Sequence, residues 1–402
     1  MSGWTTKKLG EVCTFRRGLT YSKGDEVEHS SKVVLRANNI SLEKNQLCFD
    51  ELKFIRDDFE IPDDKYLEKD CLLICTASGS KAHLGKVAYI DKEYDFAFGG
   101  FMGLIVPDVS LVFSRYFYYV LTAENYRQFI QRLTDGANIN NLKFSQLAEF
   151  DIPIPPLAEQ KRIVAKIDAA FEKIDRLKAN AEKNLANAKE LFQSALDEAM
   201  RPKKGWEEKR LGEVYNFIDY RGKTPTKIDQ GIPLVTARNI RMGYLDYSVR
   251  DFISLAEYKT RQSRGIAHKG DILFTTEAPL GFVALADLDE FSTGQRVITF
   301  QQYEGSSFQL LNAFYYYYFQ AKRFQSEIRK QATGATAQGI KASRLRNIPI
   351  AVVPIAEQKQ IIKHLDFLSE KIKMLEQNYA RQIADCAEMR QAILREAFEG
   401  SL

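Results

Sequence analysis

The sequence predicts an α+β protein: two tandem mixed α/β domains, each followed by a long helix. The two helices are expected to pair as an antiparallel coiled coil with pseudo-twofold symmetry. Three observations carry this reading. PLAEQKRIVAKID, beginning at Pro156, returns as PIAEQKQIIKHLD at Pro354, 198 positions later. Each copy opens a proline-free stretch with heptad-spaced apolar residues. Ahead of each lies a segment of roughly 150 residues with strand-length apolar runs, of ordinary domain size.

The repeat extends over the whole chain. WTTKKLGEV at Trp4 matches WEEKRLGEV at Trp206, and RANNI ending at Ile40 matches TARNI ending at Ile240. LGKVA at Leu84 matches LGFVA at Leu280, and YFYYV at Tyr116 matches FYYYY at Phe314. TDGANINNLKFSQL at Thr134 matches ATGATAQGIKASRL at Ala332, and FQSALDEAM at Phe192 matches RQAILREAF at Arg390. The offset drifts by only a few residues, as small loop insertions require. The boundaries that follow are 1–150 and 203–348 for the domains, and 151–202 and 349–402 for the helical segments.

Both helices start after a proline, which suits a first turn. The first seam runs through Ile163, Ile167, Ile174, Leu177 and Leu191, with Ala170, Ala181, Ala188 and Ala195 between them. The second runs through Ile361, Leu365, Leu368, Ile372, Leu375, Met389 and Ile393, with Tyr379 and Cys386. Each misses once, at Asn184 and Gln382. A helix of this length, about 65 Å at 1.5 Å per residue, outruns a small domain. That disfavours one amphipathic helix lying on each domain. Antiparallel pairing is favoured because parallel pairing would crowd the two domains at one end. KVAYI, DCLLICT, GLIVP, DILFTT and RVITF read as strands. SRYFYYVLTAENYRQFI and NAFYYYYFQAKRFQSEI read as helices, whose aromatics are assigned to the core rather than to base stacking.

Composition narrows the function. The chain is 45% hydrophobic and 27% charged, a soluble globular balance. No apolar run spans a membrane, and MSGWTTKKLGEV lacks the apolar core of a secretory signal, so a cytoplasmic protein is expected. Five scattered cysteines fit reduced thiols, and the four histidines form no metal-ligand spacing with them. Residues 1–157 carry 19 basic and 22 acidic side chains, whereas residues 201–355 carry 23 and 15. Only the second domain has the charge balance of a nucleic-acid binder.

Catalytic motifs are missing. GSKAHLGKV at Gly79 resembles a phosphate loop but is one residue too long, with no Ser or Thr after Lys86. No nucleophile elbow, dinucleotide fingerprint or NPPY-like stretch occurs, and PDDK at Pro62 reads as an acidic surface loop. A non-catalytic protein is expected. The matched loops are instead rich in hydrogen-bond donors: FRRGLTYSKGD, RANNI, TASGSKAH and TDGANINNLK in the first half, DYRGKTP, TARNI and ATGATAQGIK in the second. Arg, Lys, Asn and Gln hold phosphates and read base edges.

At this point the sequence resembles the specificity subunits of type I restriction–modification systems. The carrying motifs are the paired IPIPPLAEQKRIVAKID and IPIAVVPIAEQKQIIKHLD, the WxxKxLGEV openings, GKTP at Gly222, GANINNL and GATAQGI before the helices, and the ending ILREAFEGSL. The resemblance implies two target-recognition domains on a bipartite double-stranded DNA site with an unspecified gap. It implies a helical ruler that docks two methyltransferase subunits, with restriction and translocase subunits joining the same core. S-adenosylmethionine, ATP and magnesium would sit on those partners, and none on this chain. Two readers at fixed separation predict half-sites about one helical turn, roughly 34 Å, apart. The candidate DNA-facing residues are Arg17, Lys23, Arg36, Asn38, Ser78, Lys81, Lys143, Arg221, Lys223, Arg238, Gln338 and Lys341. The alternatives are a coiled-coil adaptor for proteins and an orphan or decoy specificity subunit.

Overall fold

A computed structural model describes residues 4–135, 141–222, 224–334 and 338–402. They form two compact units, residues 1–182 with 381–402 and residues 183–380. Each long helix, Leu157–Ala199 and Ile355–Phe398, contributes one part to each unit.

In the first unit the central sheet is antiparallel, in the order Cys13–Arg17, Met102–Pro107, Leu72–Cys75, Val87–Tyr89. A second sheet has the order Glu26–Val27, Lys53–Ile55, Lys32–Leu35, Phe96–Phe98, the last pair parallel. The period of two along Leu72–Cys75 explains its unbroken apolar run. Leu72 and Ile74 face one core with Ile105, Tyr116 and Phe117. Leu73 and Cys75 face another with Val33, Leu35 and Phe98. A strand covered on both faces has no polar side to show. The second unit repeats the plan. Its central order is Tyr215–Asp219, Val297–Gln302, Ile272–Thr275, Val283–Leu285. Beside it lie Phe252–Ile253, Ile232–Val235 and Ser292–Thr293, the last pair parallel.

The sequence repeats are the pieces that hold one another. Thr5–Lys8 pairs with Asp151–Ile154, and Glu207–Arg210 pairs with Pro349–Val352, so each WxxKxLGEV opening closes against the strand that precedes its long helix. Leu9 and Leu211 are fully buried. A Cβ on Gly10 would stand 2.9 Å from the Ala148 Cβ, and one on Gly212 2.8 Å from the Arg346 Cβ. That crowding accounts for the glycine in both copies. The glutamine of AEQ brackets domain to helix. Gln160 accepts from Phe113 N (2.7 Å) and donates to Leu111 O (2.9 Å) and Pro155 O (2.8 Å). Gln358 accepts from Leu311 N (2.8 Å) and donates to Gln309 O (2.8 Å) and Val353 O (2.7 Å).

Each aromatic helical stretch forms two short helices rather than one. Ser114–Val120 is followed by Glu124–Thr134, and Asn312–Gln320 by Lys322–Gln331. Thr122 Oγ1 donates back to Tyr119 O at the first break, and Ala321 is extended at the second. Their aromatics are core: Tyr116, Phe117, Phe314 and Tyr315 are fully buried. Tyr119 donates to Asp168 and Tyr317 to Asp366, at equivalent places on the two long helices. Burial first, then the adjoining carboxylate, raises both phenols.

Pairing of the long helices is antiparallel within each unit. Ile163 and Ile167 share a core with Leu394 and Ala397. Leu196 and Met200 share one with Ile361 and Leu365. Arg390 pairs with Asp175, and its guanidinium lies 4.3 Å from the Phe171 ring centroid. The seam is narrower than the sequence suggests. Ile163, Ile167, Ile174, Ile361, Leu365 and Ile372 are buried, as are Ala181, Ala188 and Cys386. Leu368 and Ile393 are half-buried. Leu177, Leu191, Leu375 and Met389 are corrected to exposed positions, at 55%, 61%, 39% and 47%. Each stands three residues past a buried one, about 60° round the helix, on a flank that a single partner helix does not reach. No described helix is long and apolar enough to cross a membrane.

Candidate nucleic-acid interface

Strand direction decides where the loops go. In the first unit Arg17 lies opposite Gly103, Cys75 opposite Met102 and Ile74 opposite Val87. The loops after Arg17 and Cys75 and before Met102 and Val87 therefore leave the same end of the sheet. The parallel pair Lys32–Leu35 and Phe96–Phe98 delivers Arg36 and Gly99 to that end too, with Gly99 N donating to Leu35 O at 2.9 Å. The segment before the long helix is tied there: Leu142 N donates to Thr76 O (2.7 Å), and Asn141 bridges Ala77. Phe144 stacks on Phe15 with centroids 4.9 Å apart, and the Arg17 guanidinium lies 5.8 Å from the Phe144 centroid.

Arg17, Arg36, Ser78 and Lys143 thus meet at one rim. Arg17 and Lys143 are exposed; Arg36 is half-buried, with its Nε buried and unpartnered. Lys81 is next to this group and donates to Thr134 O at 3.1 Å. Asn38 is exposed and donates to Glu51. Lys23 lies on a separate exposed turn, Lys23–Asp25.

The second unit uses the same end. Ile340 N donates to Thr276 O (2.9 Å), and Gly339 bridges Glu277, which places exposed Gln338 and Lys341 on the rim. Arg296 reaches Glu277 at 3.2 Å. Thr224 donates to Gln295 at 3.3 Å, and Arg221 stands on the turn just after Asp219. Arg221 sits over Asp219 at 3.7 Å. Arg238 follows the strand Ile232–Val235, whose Val235 O accepts from Gly294 N. It pairs with Asp251 at 2.7 Å, as Lys227 does at 2.8 Å. Burial of Asp251 opposes its charge, but these two cations outweigh burial and hold its carboxyl below the usual range. Lys223 lies outside the described residues.

Part of the donor-rich loop signal is structural. Asn39 and Asn239, in RANNI and TARNI, are buried. Asn39 accepts from Arg36 N and donates to Cys48 O and Glu51 O; Asn239 accepts from Thr236 N and donates to Asp246 O and Val249 O. These asparagines knit the turns that present Arg36 and Arg238. Rim residues that the sequence did not single out are Phe101, Asn141, Gln295 and Arg296. Asn141 lay inside a quoted motif. The others could be placed only through strand register. Among the described residues no group of metal-ligating side chains is present.

The profile of the family described as "Type I restriction modification DNA specificity domain" matches residues 1–186 and again 203–382. This chain belongs to that family. The chain is 26% identical over 423 aligned positions to the type I restriction enzyme EcoKI specificity subunit of Escherichia coli K12, covering 100% of this chain and 89% of that one. It is 32% identical over 183 positions to the StySPI specificity subunit of Salmonella potsdam, covering 45% of this chain and 39% of that one. A solved chain from a study of complex assembly and conformational transition of the type I R-M system has the same fold, with a TM-score of 0.77, 20% identity and coverage of 100% and 99%. The HsdS subunit from Thermoanaerobacter tengcongensis shares it at a TM-score of 0.59, 20% identity and coverage of 100% and 98%. The protein is thus a DNA specificity subunit of a type I restriction–modification system, and a coiled-coil adaptor without DNA is not favoured.

Proposed function

We propose that each domain of this specificity subunit reads one half of a bipartite, gapped DNA site through the rim described above. The observation that carries this is topological: in both units the donor-rich loops leave the same end of equivalent sheets. A single rim lets phosphate-holding cations and base-reading side chains engage one groove together. The long helices set the half-site spacing and dock two methyltransferase subunits. Leu177, Leu191, Leu375 and Met389, exposed on their flanks, supply apolar anchors for that docking. Methylation, translocation and cleavage belong to the partner subunits, which bind S-adenosylmethionine, ATP and magnesium. The complex works on cytoplasmic DNA.

Long-read methylation mapping of host DNA, with this gene intact and deleted, tests the reading. A gapped asymmetric methylated motif should vanish on deletion. An unchanged methylome would count against the reading and favour an orphan or decoy subunit. Replacing Arg36 or Arg238 with alanine should weaken specific binding by about 1–3 kcal/mol, the value of a bidentate guanine contact. Equal affinity for variant and parent at both low and high salt would remove that residue from the interface. Inserting one heptad in both long helices should lengthen the gap, and a retained spacer would end the ruler idea.

A further inference from the structure

Phe101 is an anomaly on a rim whose other exposed side chains named above, Arg17, Asn141 and Lys143, are polar or charged. It is 72% exposed, the most exposed large apolar side chain among the described residues. Its backbone is nonetheless fixed. Phe101 O accepts from Thr76 N (2.9 Å), Ala77 N (3.0 Å) and Thr76 Oγ1 (3.0 Å). Gly99 and Gly100 bring its base close to neighbouring chain: a Cβ on Gly100 would lie 3.3 Å from Leu19 O. The ring therefore stands out from a rigid turn, one residue before the strand whose first residues pair with Cys75 and Arg17.

The second unit carries a different side chain at this place. Thr276 N donates to Arg296 O as Thr76 N donates to Phe101 O, so Arg296 occupies the equivalent tip. One unit presents a cation braced by Glu277, the other an apolar ring. Guanidinium suits the acceptor edge of guanine, whereas an apolar ring suits the thymine methyl or the face of a base. The same rim carries the cations Arg17, Lys81 and Lys143, which suit phosphates.

We propose that Phe101 is a specificity-determining residue that makes an apolar contact with a base of the half-site read by the first domain. This rests on the DNA-reading function proposed above. The ring carries no charge, so it contributes discrimination and no counterion release.

The test uses the specificity subunit assembled with its methyltransferase partners. The probes are a labelled duplex carrying the motif from the methylation map and duplexes scrambled in one half-site at a time. Phe101→Ala should weaken binding to the motif by about tenfold. Its affinity for the duplex scrambled in the first half-site, and the slope of log affinity against log salt, should stay as in the parent. Phe101→Leu, which keeps apolar bulk, should recover part of the loss. Lys143→Ala, in contrast, should flatten the salt slope. Motif affinity within twofold of the parent would overturn the proposal. So would an equal loss on the scrambled duplex. If the parent complex itself does not prefer the motif over the scrambled duplexes, the DNA-reading function fails and the proposal with it.

Discussion

Gln160→Ala should destabilise the first unit by about 3–5 kcal/mol, because three backbone groups lose a fully buried partner at once. Phe113 N, Leu111 O and Pro155 O all meet this one fully buried side chain. Gln358→Ala should do the same to the second unit through Leu311 N, Gln309 O and Val353 O. At roughly 2–4 °C per kcal/mol for a unit of about 200 residues, the transition assigned to the altered unit should fall by about 10 °C in calorimetry. Gln160→Glu separates hydrogen bonding from packing. It keeps the shape and the acceptor but cannot donate to Leu111 O and Pro155 O, and it buries a carboxylate. Glutamate should therefore be tolerated no better than alanine. A shift of under about 2 °C for both variants would show that the bracket is dispensable and that AEQ recurs for another reason.

This glutamine also shows what the sequence made legible. Repetition located the elements that must meet within each unit, because the chain has to build each contact twice from the same side chains. WxxKxLGEV, the IPI stretch and AEQ recur together since each pairs with another. The α+β plan, two domains and two long helices could be read from that pattern and from heptad spacing. The rim could be read only in part. Arg17, Arg36, Ser78 and Lys143 stood in donor-rich loops, and strand direction brings those loops together. The loops RANNI and TARNI read as donor-rich, and their Asn39 and Asn239 are turn braces, since a buried amide and a base-reading amide have the same sequence signature. Phe101 gave no sign. In sequence FGGFMG is one more apolar stretch, and its exposure arises from the register of Met102 with Cys75, a long-range fact.

Ile167→Ala should cost about 2–5 kcal/mol, while Leu177→Ala should cost under about 1 kcal/mol, although both occupy heptad positions. The sequence cannot rank them. A 3.5-residue pattern marks two positions per heptad, and a lone partner helix touches one of them closely. Ile167, Ile174, Ala181 and Ala188 form that row on the first helix, seven residues apart, and Leu365, Ile372 and Cys386 lie on the matching row of the second. The alanines let the backbones approach, so the row three residues further on is left outside the contact. Ile167 is fully buried in a core with Leu394 and Ala397, and truncating it opens a cavity there. Leu177 is 55% exposed and truncating it removes little contact. Assembly should reverse the ranking. If the outer row anchors methyltransferase subunits, Leu177→Ala and Leu191→Ala together should weaken their binding by about tenfold or more, as loss of central apolar anchors does. Urea unfolding of the isolated subunit and titration with purified methyltransferase measure the two quantities on the same variants. Equal unfolding costs for Ile167→Ala and Leu177→Ala would mean that both heptad positions are buried in solution. An unchanged methyltransferase affinity for the double variant would place the dock on another face of the helices.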